Sequence, residues 1–240
     1  MIRLFIGTSS NGEDNYIEAV YEYTLRKNCT DDLDIVWMRQ THDQESYWHG
    51  FQTKKWPTPF SGYRWAIPEY CNFEGRAIYT DVDMINFRDI KELWETPLDG
   101  KPIAARTGTR FGGHEFCVMV FDCNKMKDVV IPIDRQRSME EYHQRCIGKF
   151  SGNHDLVAEL DPRWNTLDGD GREVSDMYIL HWTKMATQPW GPKWFTGVPD
   201  SHPRKDLVEL LTSLSKEAEA AGYQGQDPVQ PYVNMECIGR

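Results

Sequence analysis

Apolar and polar positions divide the chain into alternating strand and helix patterns. Arg3-Leu4-Phe5-Ile6 is a short apolar run that stops at Gly7-Thr8-Ser9-Ser10-Asn11-Gly12, which predicts a buried strand running into a loop. Beyond it Ile17, Val20, Tyr21, Thr24 and Leu25 recur at i, i+3, i+4, i+7 and i+8. That spacing places them on one helical face, with Asp14 or Asn15 positioned as the N-cap. Further strands are predicted at residues 34–38, 76–80, 115–121 and 178–182. The run Glu115 to Phe121 is the most apolar, as suits a strand covered on both faces. Helices are predicted from Phe60 to Tyr70 with an interruption at Pro68, from Met139 to Phe150, from Asp155 to Leu160 and from Asp206 to Ala221. The last would turn Leu207, Leu210, Leu211 and Leu214 inward and stop at Gly222.

Strands separated by helices imply an α/β protein with a mixed, mostly parallel sheet flanked by helices. The expected organisation is one domain over residues 1–222 and a C-terminal tail, 223–240, lying over the surface. In such sheets ligands bind beyond the carboxyl ends of the strands, which directs attention to Thr8 onward, Asp81 to Asp83 and His181.

Charge narrows the choice of ligand. The formal net charge of −10 over 240 residues argues against a protein that coats nucleic acid or lies on an anionic membrane, so no nucleic-acid partner is expected. A phosphate-bearing ligand would need local cations or a metal. No window approaches the roughly 18 apolar residues of a transmembrane helix. Six dispersed cysteines without a CxxC pair suggest reduced thiols and a cytoplasmic setting.

Three Asp-x-Asp triplets occur, and context separates them. Asp32-Leu33-Asp34 sits in a charged stretch and reads as surface. Asp168-Gly169-Asp170-Gly171 is a turn by composition and lacks the further ligands of a calcium loop. Only Asp81-Val82-Asp83 follows an apolar strand, where carboxylates two residues apart point to the same side and reach one hard cation. His181 ends another apolar strand. Alone it reads most simply as a core histidine, but the polar loop after it, with Lys184, suits a metal and a diphosphate. The tryptophans, Trp190 and Trp194 among them, read first as packing residues, with Trp190 as a loop anchor.

Tyr63-Arg64-Trp65, then Ala77-Ile78-Tyr79-Thr80-Asp81-Val82-Asp83, then His181-Trp182-Thr183-Lys184-Met185-Ala186-Thr187-Gln188-Pro189-Trp190 together resemble the metal-dependent GT-A-fold glycosyltransferases. The resemblance is nearest to family 8, which includes glycogenin and the lipopolysaccharide galactosyltransferases. It covers most of residues 1 to 195 and includes an arginine 17 positions before the first Asp of the motif. It implies a GT-A, Rossmann-like fold and transfer of a sugar, with retention, from a nucleotide-diphosphate donor such as a UDP-sugar. The implied acceptor is a glycan or lipid-linked sugar, which would bring the chain to a membrane periphery. It further implies Mn²⁺ or Mg²⁺ on Asp81, Asp83 and His181, ribose contact at Val82, base contacts at Gly7, Thr8 and Tyr16, and Arg64 by the phosphate or donor sugar.

Asn153-His154-Asp155 lies where the family has an acidic run beside the anomeric carbon, which makes Asp155 the candidate catalytic residue; as a bland alternative it would be a helix N-cap. Lys184 stands in for a lysine that the family places directly before Pro-Trp, where this chain has Gln188. Arg106 and Glu115 fall near positions that in the family contact the donor sugar as Asp and Asn. Two rival functions fit part of the pattern. A nucleotidyltransferase would carry a Gly-rich basic loop early in the chain, and Gly7 to Gly12 has no base. A carbohydrate-binding protein of the same fold would not need the intact Asp81, Asp83 and His181.

Overall fold

A computed structural model describes residues 1–108, 113–191 and 201–229; Trp194, Cys237 and the tail from residue 230 lie outside the described residues. The first β-α-β unit follows the hydrophobic pattern. β1 (Ile2–Gly7) leads into a loop, α1 (Asn15–Asn28) buries Ile17, Val20, Tyr21, Thr24 and Leu25, and β2 (Leu33–Met38) returns parallel to β1. Asp14 occupies the N-cap position of α1. Its carboxylate does not cap the helix; it accepts the Ser9 N–H at 3.2 Å, back toward the carboxyl end of β1.

Between residues 60 and 70 a 3₁₀ turn, Tyr63–Ala66, runs into the short α2 (Ile67–Tyr70). Pro68 lies in the first turn of α2, where a missing N–H costs nothing, so the proline starts a helix and does not interrupt one. The chain continues through β3 (Arg76–Asp81), β4 (Met84–Asn86), α3 (Ile90–Trp94), β5 (Ile103–Thr107) and β6 (His114–Asp122). It then forms α4 (Cys123–Met126), α5 (Ile133–Ser138) and α6 (Tyr142–Phe150). The helix predicted over Asp155 to Leu160 is instead a turn followed by strand β7 (Val157–Glu159), because that apolar run pairs in parallel with β5. β8 (Thr166–Leu167), β9 (Ile179–His181) and α7 (Lys205–Ala220) complete the order.

Six strands form the main sheet in the order β2-β1-β3-β6-β5-β7, with β6 alone running against the others. The reversal brings the start of β6 beside the end of β3. Alternate residues of the central strands feed two cores. Leu4, Ile6, Ile78, Val118 and Val120 pack with α1 and α7, whereas Phe5, Tyr79, Met119 and Phe121 face an aromatic cluster that includes Trp48, Trp56, Tyr63, Trp65 and Phe150. A second sheet, β4-β9-β8, carries His181 at the end of its central strand. Among the described residues the five cysteines are free, and no helix is long and apolar enough to cross a membrane.

Residues after α7 double back over the loop between β1 and α1. The Gln226 N–H donates to Glu18 Oε2 at 2.6 Å, the Arg39 guanidinium to the Asp227 carbonyl at 2.6 Å, and the Val229 N–H to the Ser10 carbonyl at 2.9 Å. Glu18 is 1% exposed and also accepts the Thr8 hydroxyl at 2.5 Å. Burial raises its pKa from 4.5 to about 7, against the lowering effect of the Thr8 and Gln226 hydrogen bonds. The folded state therefore binds this proton more tightly than the unfolded chain. The stabilisation it brings is complete below pH 4.5 and is lost as pH rises through about 7, a change on the order of 3 kcal/mol. Urea unfolding of the wild type and Glu18→Gln between pH 4 and pH 8 checks this: the variant should gain on the wild type across that window, and a pH-independent gap would refute the shift.

Candidate active site

A cavity of about 570 Å³ opens at the carboxyl ends of β1 and β3. Its walls come from the loop Ser9–Asp14, the segment from Pro57 to Arg64, Asp81 to Asp83, the first residues of β6, and Gln188 from the loop after β9. Asp81 and Asp83 reach the same side because β3 is extended up to Asp81, and Val82 between them packs into the core.

Each carboxylate is held. Asp81 Oδ1 accepts from Arg64 Nη2 at 3.0 Å and from the Tyr79 hydroxyl. Arg64 is fixed in turn by the Ser61 carbonyl at 2.8 Å and the Phe116 carbonyl, and its guanidinium lies 4.3 Å from the Tyr79 ring centroid. Asp83 Oδ2 accepts from Gln188 Nε2 at 3.1 Å, and its Oδ1 lies 3.3 Å from His181 Nε2. The buried His181 has Nδ1 2.9 Å from Asn165 Oδ1, which accepts its proton and turns Nε2 toward the aspartates. Burial opposes charge on this imidazole, but the adjacent Asp83, helped by Asp81 and Asp168, outweighs it and holds the pKa above the usual histidine value.

Cys117 joins this group from β6. The antiparallel pairing of β3 with β6 ends at Thr80 and Val118, so Asp81 and Cys117 are the next residues beyond it on the two strands. Ligand atoms of Asp81, Cys117 and His181 all lie within 4.8 Å of one another. Burial, reinforced by the negative charge of Asp81, pushes the Cys117 thiol well above its usual pKa. This donor set of carboxylate, imidazole and sulfur, with Asp83 against the same imidazole, fits a divalent cation.

The cavity wall is acidic. Among the described residues, Glu13, Asp14, Asp81, Asp83 and Glu115 line it against the guanidinium of Arg64. Burial and repulsion from Asp83 raise Asp14 to about 6, partly offset by the Ser9 hydrogen bonds. Two histidines on the far wall serve as neutral donors. His143 Nδ1 accepts the Trp65 indole N–H at 3.1 Å, which leaves the proton on Nε2, and burial with nearby Arg64 lowers its pKa to about 3. His114 Nδ1 accepts the Gly152 N–H at 3.2 Å, and burial and His154 lower its pKa too. Behind Glu115, the 3% exposed Arg106 pairs with Glu115 at 3.3 Å and Asp170 at 2.8 Å.

The structure thus gathers Arg64, Asp81, Val82, Asp83 and His181, and leaves other sequence candidates apart. Gly7 is still within β1, paired beside Asp81, where a Cβ would come within 2.7 Å of Phe60 and 2.9 Å of the Tyr79 hydroxyl. Thr8 is buried on Glu18, and Tyr16 is an exposed residue of α1; the cavity begins at Ser9, because the strand carries the chain past Gly7 before it turns. Lys184 is exposed and lies near Gly169, outside the cavity lining. The helix N-cap expected at Asp155 is corrected, and the residue lies outside the cavity lining. It caps no helix and sits exposed in the turn before β7, its N–H bonded to Asn153 Oδ1 at 3.1 Å, beside a shallow depression formed by residues 148–155.

The Asp168 and Asp170 carboxylates prove structural: Asp168 accepts the Thr183 hydroxyl at 2.7 Å and faces His202 at 3.1 Å, while Asp170 holds Arg106. Trp190 packs edge-on to Trp182 at 6.1 Å, as an anchor of the loop after β9. Sequence reasoning missed Cys117, Tyr79, Asn165 and the roles of Asp14 and Gln188.

No protein-family model matches the chain, and no curated protein matches its sequence. Solved structures do match. The galactosyltransferase LgtC, crystallised with donor and acceptor sugar analogues, superposes with a TM-score of 0.59 at 12% identity, covering 90% of this chain and 96% of that one. The glycosyltransferase GlyE of Streptococcus pneumoniae TIGR4 gives 0.57 at 16% identity, covering 96% and 67%. The bifunctional glycosyltransferase WbbM gives 0.59 at 11% identity, covering 91% and 51%. At these identities the likeness is one of architecture, and it establishes that the chain has the GT-A glycosyltransferase fold.

Proposed function

We propose that the chain is a metal-dependent glycosyltransferase that takes a sugar from a nucleotide diphosphate donor, a UDP-sugar first, to a hydroxyl of a glycan or lipid-linked sugar. The observation that carries this reading is the acidic cavity at the strand ends, where among the described residues five carboxylates face Arg64. A diphosphate entering that wall meets charge of its own sign, and a divalent cation held by Asp81, Asp83 and His181 reverses the interaction. When bound, Mn²⁺ or Mg²⁺ supplies Lewis-acid stabilisation of the charge that develops on the leaving diphosphate. The solved LgtC complex with donor and acceptor analogues supports the same use of this architecture.

The chain's own residues then have distinct tasks. Arg64 and Tyr79 orient Asp81, Gln188 orients Asp83, and Asn165 fixes the tautomer of His181. Ser9, Ser10 and Asn11, two to four residues beyond the predicted base contacts at Gly7, face the nucleotide end. Glu115, held by Arg106, offers a carboxylate to the hydroxyls of the donor sugar, while the neutral His114 and His143 present N–H donors. Retention of configuration remains part of the proposal through the family resemblance. Asp155 and Lys184 stand outside the cavity and are given no part in it. The nucleotidyltransferase alternative is disfavoured because the loop at the cavity carries Glu13 and Asp14 where that chemistry needs a base.

Calorimetric titration with UDP-sugars, with and without Mn²⁺, tests the proposal. Asp83→Ala should abolish the Mn²⁺-dependent component while the thermal unfolding of the free protein stays cooperative, since the lost group borders solvent; unchanged metal-dependent affinity overturns the assignment. Mn²⁺-dependent release of UDP separates an enzyme from a binding protein of the same fold. In that assay Asp155→Asn should keep turnover within about twofold of wild type, whereas a loss of roughly a hundredfold would return Asp155 to the reacting centre.

A further inference from the structure

We propose that Cys117 is a ligand of the divalent cation, so that sulfur joins the two carboxylates and the imidazole and biases the site toward thiophilic ions. The inference rests on the metal-dependent reading above and specifies the ion that reading requires. Two observations carry it. The Cys117 sulfur, an Asp81 oxygen and a His181 nitrogen lie within 4.8 Å of one another. Cys117 also lines the cavity, whereas Cys71, Cys123 and Cys146 are buried elsewhere in the core.

Metal bonds of about 2.0–2.3 Å place tetrahedral ligand atoms about 3.3–3.8 Å apart, so drawing Asp81, Cys117 and His181 onto one ion calls for a contraction of about an ångström, within the reach of side-chain rotation. On coordination the Cys117 thiol releases its proton to solvent and sulfur donates an electron pair to the ion; nothing is oxidised or reduced. A thiolate ligand favours Co²⁺, Zn²⁺ and Cd²⁺ over Mn²⁺ and Mg²⁺ relative to a site of oxygen and nitrogen alone.

Titration of the full chain with Co²⁺ under reducing, oxygen-free conditions, in the presence of UDP, tests this without reference to turnover. The wild type should develop visible ligand-field absorption together with a near-ultraviolet sulfur-to-cobalt charge-transfer band. Cys117→Ser should lose the charge-transfer band, retain the ligand-field absorption, and bind Cd²⁺ tenfold or more weakly while its Mn²⁺ affinity changes by less than about threefold. Cys117→Ala serves in the same way if the serine variant fails to fold. Ligand-field absorption without a charge-transfer band in the wild type overturns the sulfur ligand and leaves the metal reading standing. A charge-transfer band that survives in Cys117→Ser or Cys117→Ala assigns the sulfur to another cysteine and also overturns it. Failure of the wild type to bind Co²⁺, Cd²⁺ or Mn²⁺ in the presence of UDP overturns both.

Discussion

The ion pair between Arg64 and Asp81 joins the parts of the site that are far apart in sequence. Its side chains are only 6% and 15% exposed, and the guanidinium also reaches the carbonyls of Ser61 and Phe116. One residue thus ties the segment before α2, the end of β3 and the start of β6 to a single point. A pair this buried contributes little net stability, but removing one partner strands an uncompensated charge at a cost of about 3–5 kcal/mol. The arrangement is therefore stiff, and it sets the direction from which Asp81 meets any ligand.

Topology supplies what the ion pair needs. Because β6 runs against its neighbours, its first residues arrive beside the last residues of β3, and Glu115 and Cys117 face the cavity with Asp81. A parallel strand in that place would have brought its carboxyl end instead. His181 comes from the smaller sheet. Met84 pairs with His181, and the Trp182 N–H donates to the Asp83 carbonyl at 2.9 Å, so the imidazole is set against Asp83 by main-chain register. The site is the seam between two sheets, and the Asp-x-Asp segment belongs to both, ending β3 and leading into β4.

Legibility in the sequence followed the range of the forces involved. Strands β1, β2, β3 and β6 and helices α1 and α7 were plain, because each buries a face whose periodicity is local. β4 and β7 have three residues each, too few to show a period, and they exist because neighbours offer a free edge. The same limit misplaced Asp155: a polar residue before an apolar run reads as a helix cap unless the partner strand β5 is known. Asp81, Asp83 and His181 were legible because strand ends in an α/β sheet converge. Cys117 was not, since a cysteine within Phe116-Cys117-Val118 counts as one more apolar residue until the fold sets its sulfur near Asp81 and His181.

The loop Ser9 to Asp14 has no regular structure of its own, yet it forms one wall of the cavity, and its order is supplied from behind. Glu18, one turn into α1, accepts the Thr8 hydroxyl on one oxygen and the Gln226 N–H on the other, while the Ser10 carbonyl accepts the Val229 N–H. A hydrogen-bonded carboxylate in the core thus fastens the start of the loop and the returning tail to one helix. Asp14 faces the other way, bonded to Ser9 and repelled by Asp83, so a single helical turn presents one acid to the interior and one to the cavity. The loop gains a fixed shape without a strand or helix to hold it, and the ordering is completed by residues more than two hundred positions downstream in the sequence.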